Sequence, residues 1–226
     1  MTSATAPEPR YEHPSASRAE RTPRSVLTGI ERRIMRRLYG RGPEREQWLR
    51  RTMYEDVDRY FRALPAEKNR ALEVSGRFYG SHPWKHYESW HYPDFDLCRP
   101  GDIAETFDVV ICDQVLEHVV DPCAAARTLF NLCADGGHAV VAVPFLVRIH
   151  DAPGDYWRFT PDGLQLLLER AGFQVPEVQG WGNRRCVRAN FLVWARTPRF
   201  GAALNERAFP VNVWAIGRKT TGDDGN

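Results

Sequence analysis

Nine consecutive residues, His150 to Arg158, group a histidine, two aspartates, a tyrosine and an arginine that could together do acid–base chemistry. An imidazole next to a carboxylate makes a general base, because histidine titrates near neutrality and the aspartate orients it. His150 and Asp151 are therefore the candidate catalytic pair. Asp155, Tyr156, Trp157 and Arg158 follow as candidates for holding an acceptor. Arg158 suits an anionic group, or an ion pair with one of the aspartates. Trp157, with Trp84 and Trp90, suits the wall of an aromatic or sugar pocket, or the core. Asp151 and Asp155 also suit loop turns.

A second set is spread over the preceding segment: Ser75-Gly76, His91, Asp96 and Asp113-Gln114. A glycine-containing turn lets backbone approach a ligand closely. Carboxylates accept from ribose hydroxyls or from an adenine amino group. Polar residues recurring after short apolar runs suit a nucleoside-like ligand.

The elements that must position these residues alternate. Strands are expected at Arg70–Ser75, Lys85–Trp90, Phe107–Cys112, His138–Val143, Val175–Val178 and Val211–Ile216. Helices are expected from Asp121 to Cys133, and from a Thr160 cap through Pro161 to Gly172. Phe107–Cys112 is a continuous apolar run, as in a strand buried on both faces. Such alternation gives an α/β fold with a mainly parallel sheet and helices on both faces. Ligands then bind beyond the carboxyl ends of the strands, where the polar sets fall. Residues 182–200 have no clear pattern. Two helices precede the sheet, about Val26–Leu38 and Glu44–Leu64, the second with Leu49, Met53, Val57, Tyr60 and Leu64 on one face. The expected divisions are a disordered tail (1–24), a helical extension (25–66), the main domain (67–219) and a flexible tail (220–226).

Composition narrows the function. The formal net charge is +2, yet residues 1–51 hold 12 Arg and 6 Glu with no Lys or Asp. That excess suits a solvated helix face, or contact with an anionic partner. No aromatic-interleaved basic motif accompanies it, which weighs against nucleic acid. Five cysteines, none in a CxxC, suit free thiols in a reducing compartment, and their spacings give no zinc motif. No apolar run reaches membrane-spanning length and no signal-peptide core is present, so a cytoplasmic location is expected.

The segment Phe107-Asp-Val-Val-Ile-Cys-Asp-Gln-Val-Leu-Glu-His-Val-Val-Asp-Pro resembles the fourth-strand region of class I S-adenosylmethionine-dependent methyltransferases, through its Leu116-Glu117-His118 trio and Asp121-Pro122. Gly136-Gly137 before the next strand, the run Val143 to Thr160, Ala171-Gly172-Phe173 and the last strand extend the resemblance over about residues 70–219. It implies a Rossmann-like methyltransferase fold that binds S-adenosyl-L-methionine. The cofactor contacts it implies are Glu73, Ser75, Gly76, His91, Asp96, Asp113 and Gln114. It also implies methyl transfer to an oxygen or nitrogen of a small-molecule or glycan-linked acceptor.

Two departures stand out. The family's first motif has glycines where this chain has Ser75, Arg77 and Tyr79, and His91 stands where an acid is usual. Between Gly76 and Lys85 only eight residues remain, too few for a crossover helix, so that helix is expected to be missing or reduced to a turn. A non-catalytic scaffold with this fold, and a nucleic-acid methyltransferase with an arginine clamp, are the competing readings. A homodimer through the N-terminal helices is compatible with the sequence. A nicotinamide dehydrogenase is disfavoured, since no Gly-x-Gly-x-x-Gly follows the first strand.

Overall fold

The computed structural model describes residues 48–64, 69–150, 154–192 and 204–220. The tail over 1–24, the helix over Val26–Leu38 and nearly all of 220–226 lie outside the described residues. The elements are α1 (Trp48–Ala63), β1 (Arg70–Val74), β2 (His86–Trp90), β3 (Phe107–Asp113), α2 (Pro122–Leu132), β4 (Cys133–Pro144), α3 (Pro161–Ala171), β5 (Gln174–Trp181), α4 (Arg184–Leu192) and β6 (Asn212–Arg218).

The six strands form one sheet in the order β2-β1-β3-β4-β6-β5. β2, β1, β3 and β4 are parallel to one another, and β6 runs antiparallel between β4 and β5. Strand residues alternate between two apolar layers, as the pleat requires. Leu72, Val74, Val110, Cys112, Val141, Val143, Val213 and Ala215 meet α2 and α3. Ala71, Val109, Ile111, Val140, Ala142, Trp214 and Ile216 meet Met53, Val57 and Phe61 of α1, and Cys186 of α4. Helices thus cover both faces.

The short connection from β1 to β2 contains one turn of 3-10 helix, Tyr79–Ser81. Aromatic residues fill the space a crossover helix would take. Phe61 of α1 packs edge-on against Tyr79 at 5.5 Å and against Trp84 at 5.0 Å. Trp84 therefore belongs to the core.

Two features differ from expectation. β4 begins at Cys133, because Cys133 pairs with Phe107 and the ladder then slips before Val109. The patternless segment 182–200 contains α4. Its buried residues include Cys186 and Ala189, too small to stand out in a sequence, and Asn183 caps it by accepting from Cys186 N at 2.9 Å.

The ends of α3 follow the sequence. Thr160 accepts from Gly163 N at 3.0 Å, and Gly172 closes the helix in left-handed backbone with φ 111°. A Cβ on Gly172 would also lie 3.0 Å from the Phe130 ring. Gly172→Ala is expected to cost about 1–2 kcal/mol from the left-handed backbone alone. Denaturant unfolding, with an unchanged slope and a lower midpoint, checks this.

Candidate active site

Because β1, β2, β3 and β4 run parallel, their carboxyl ends open on one edge of the sheet. Val74 pairs with Trp90 and Glu73 with Ile111. The residues just beyond, His91, Ser75 and Asp113, therefore lie level on three neighbouring strands. At about 4.8 Å per strand the row is roughly 10 Å across.

Glu73 is 1% exposed and holds the loop after β1. Its carboxylate accepts from Phe78 N and Tyr79 N, each at 2.9 Å, and from Tyr87 Oη at 2.6 Å. Gly76 passes over that carboxylate so closely that a Cβ would lie 2.1 Å from Glu73 Oε1. Ser75 and Gln114 end their strands in left-handed backbone, each with φ 57°. That conformation costs a non-glycine residue roughly 1–2 kcal/mol, and it explains why the family favours glycine at the position of Ser75. Gln114 donates to Asn212 Oδ1 at 2.9 Å.

Next to this row lies a cleft of about 590 Å³, with Trp90 and Phe95 as apolar walls and Arg77, His91, Asp94 and Asp102 as polar groups. His91 Nε2 is 2.8 Å from Ser89 Oγ and 3.4 Å from Arg77 Nε. Asp96 does not line this cleft. Its carboxylate accepts from Cys98 N at 2.8 Å and shapes a turn. Asp94, Asp102 and Glu105 are the acids that line the cleft.

Asp113 Oδ1 is buried without a hydrogen-bond partner among the described residues. Burial pushes its carboxyl up to about 6, with Glu117 and Glu73 adding to the rise and Arg50 opposing it. Arg50 was not legible as a site residue from the sequence. Burial works against its charge, yet Asp113, Tyr54 and Glu117 hold the guanidinium protonated. Tyr54 stacks on Phe78 with ring centroids 4.3 Å apart. The available signal was spacing: Arg50 and Tyr54 continue the stripe of Val57 and Phe61 on α1.

The loop carrying the candidate catalytic run docks on the Leu116–His118 turn. Tyr156 N donates to Glu117 O at 2.8 Å, and Trp157 Nε1 to Val119 O at 2.9 Å. His118 Nδ1 sits against Gly154 O. Asp155 is the loop's internal fastener. It accepts from His150 N at 2.8 Å and from Arg158 Nη2 at 2.6 Å. Burial opposes its ionisation, but the Arg158 guanidinium and the His150 N–H hold its carboxyl below the usual range. Arg158 also donates to Arg148 O at 3.2 Å. Of the two roles its sequence position allowed, pairing with an aspartate is the one the structure displays. Tyr156 and Trp157 are 36% and 40% exposed and rim the loop.

Asp151 lies outside the described residues. The carboxylates seen around the His150 ring are Asp155, with Oδ2 3.4 Å from Nδ1, and Glu117, with Oε1 3.7 Å from Nε2. Glu117 is fully buried, and neither of its carboxylate oxygens has a hydrogen-bond partner among the described residues. His118 Nε2 is 3.6 Å from the same Oε1. The edge of the sheet thus has two parts, a polar cleft beside His91 and a carboxylate–histidine group beyond Asp113.

The profile of the methyltransferase-domain family matches residues 28–178. Among curated proteins, the chain is 28% identical over 108 residues to a ubiquinone biosynthesis O-methyltransferase of Neisseria meningitidis serogroup C, covering 38% of this chain and 45% of that protein. It is 34% identical over 94 residues to the protein of the same name from Psychrobacter arcticus, covering 34% of this chain and 37% of that one. The matches thus span under half the length of these two relatives. Among solved structures, it resembles the N-methyltransferase NodS of Bradyrhizobium japonicum, in complex with S-adenosylhomocysteine, with a TM-score of 0.51 at 14% identity over 84% of this chain and 98% of that one. The family match over two thirds of the sequence, on a sheet whose strand ends form this cleft, means that the chain belongs to the S-adenosylmethionine-dependent methyltransferase-domain family.

Proposed function

We propose that the protein transfers a methyl group from S-adenosyl-L-methionine to a hydroxyl oxygen of a small or glycan-linked acceptor. The observation that carries this reading is the level row of His91, Ser75 and Asp113 beside the cleft. The residues fit the cofactor. Trp90 and Phe95 suit a base, His91 and the nearby acids suit a ribose, and the unpartnered Asp113 Oδ1 suits a cationic amino group. When bound, the cofactor supplies an activated methyl on a sulfonium, so the chain's main task is alignment of the acceptor.

The acceptor is placed against the Glu117–His118–His150 group, rimmed by Tyr156 and Trp157. Asp155 Oδ2 and Arg158 Nη2 lie beside His150 Nδ1 at 3.4 and 3.5 Å, and Nε2 is the ring nitrogen that takes the hydroxyl proton. The curated relatives' names point to oxygen rather than nitrogen as the methylated atom.

Asp113→Ala is expected to weaken S-adenosylhomocysteine binding at least about tenfold, because a hydrogen bond to a charged group contributes about 1.5–3 kcal/mol. In the unaltered protein, affinity is expected to fall as pH drops through about 6, where Asp113 takes up its proton. Calorimetric titration from pH 5 to 8 checks both, and a flat profile with unchanged affinity in the variant would contradict the placement. Ser75, Arg77 and Tyr79 at glycine positions favour one other reading, a scaffold that has lost the cofactor.

A further inference from the structure

We infer that Glu117, His118 and His150 form a binding site for a divalent first-row transition-metal ion, with zinc or cobalt as the best fit. The inference rests on the acceptor side of the reading above and deepens it.

Each of the three residues offers one ligand atom, and these atoms all lie within 4.8 Å of one another. The His118 tautomer is set from outside the group. His118 Nδ1 lies against the Gly154 carbonyl, which can only accept, so Nδ1 carries the proton and Nε2 keeps its lone pair. His150 Nδ1 lies 3.4 Å from Asp155 Oδ2 and 3.5 Å from Arg158 Nη2, with Nε2 turned toward Glu117. The two Nε2 atoms lie 3.6 and 3.7 Å from Glu117 Oε1. Those separations are too long for hydrogen bonds.

A cation resolves the arrangement. Ligands about 2.0–2.1 Å from a tetrahedral metal are roughly 3.3–3.4 Å from each other, close to the two separations from Glu117 Oε1. A fully buried carboxylate with neither oxygen hydrogen-bonded is costly unless it is paired or coordinates a metal. A carbonyl or carboxylate behind each ligating histidine is the usual outer support of such a site. The set of two imidazoles and one carboxylate suits zinc or its neighbours better than magnesium or calcium. Sequence spacing alone did not show the cluster, because His150 comes from a loop 32 positions beyond His118 and is delivered by the contacts of Gly154 and Tyr156.

Three protein ligands leave room for water or an acceptor hydroxyl. A hydroxyl bound there has a lowered pKa and releases its proton to solvent. The oxygen then takes the methyl as the carbon–sulfur bond breaks, giving an ether and the neutral thioether. With the ion bound, His150 Nε2 is a ligand. In its absence the same nitrogen is the base.

The test is titration of the full chain with Co²⁺, followed by visible absorption and calorimetry, with S-adenosylhomocysteine binding measured on the same samples. One equivalent of Co²⁺ should bind and give four- or five-coordinate ligand-field bands without thiolate charge transfer. Glu117→Gln and, in case that buried change prevents folding, His150→Ala should each weaken Co²⁺ binding at least tenfold. Absence of 1:1 binding up to millimolar Co²⁺, or equal binding by a folded Glu117→Gln or His150→Ala protein, overturns the site. Loss of S-adenosylhomocysteine binding with Co²⁺ binding intact would sink the methyl-transfer reading and leave the metal site standing.

Discussion

Replacing His150 by alanine is expected to lower turnover by about 10²–10⁴-fold, the usual contribution of a positioned acid–base group. S-Adenosylhomocysteine affinity should stay within about twofold, since the ring lies with Glu117 and Asp155 and away from the residues that line the cleft. The fold should tolerate the change. The side chain is 22% exposed, and the bond that holds the loop, from His150 N to Asp155, is made by the backbone. Single-turnover rates at saturating cofactor, beside the binding constant, separate the two effects. Equal losses of rate and cofactor affinity would mean that the loop supports the cofactor cleft and that His150 has no part in acceptor chemistry.

Gly76→Ala is expected to be the most damaging small substitution in the site. The added methyl would lie 2.1 Å from Glu73 Oε1, so the carboxylate or the backbone must move. Moving the carboxylate breaks its bonds to Phe78 N, Tyr79 N and Tyr87 Oη. Hydrogen bonds to an ionised group are worth about 1.5–3 kcal/mol each, so a loss of about 3 kcal/mol or more is expected. For a domain of this size that lowers the melting temperature by roughly 6–12 °C. Glu73→Gln, which keeps the shape but replaces one acceptor by a donor, should cost less. A melting temperature within 2 °C of the parent for Gly76→Ala would show that the loop relaxes freely and that Glu73 does not organise it.

Much of the fold could be read from particular residues. The apolar run Phe107–Cys112, the Thr160 and Gly172 caps and the shortened first crossover all appear where the sequence put them, because each rests on local physics: continuous burial, helix-end hydrogen bonding and chain length. α4 was hidden because its buried side chains include Cys186 and Ala189, which leave almost no hydrophobic pattern. The site was legible as a set of loops and less so as a set of contacts. His91 and Asp113 lie where the strand ends suggested, whereas Asp96 is used in a turn and Arg158 in fastening its own loop. Arg50 continues the stripe on α1, but nothing in that spacing tied it to Asp113, whose charge it influences from a helix far earlier in the chain. Glu117 stood in a recognised trio, but its proximity to His150 depends on how a distant loop docks on the turn.

On the proposed function, the polar row at the ends of β1, β2 and β3 holds the methyl donor despite Ser75, Arg77 and Tyr79 standing at glycine positions. Calorimetric titration of the purified full chain with S-adenosylhomocysteine tests it most directly. One site of micromolar affinity is expected. No heat and no binding up to millimolar ligand would contradict it, and would mean that the fold persists here as a scaffold.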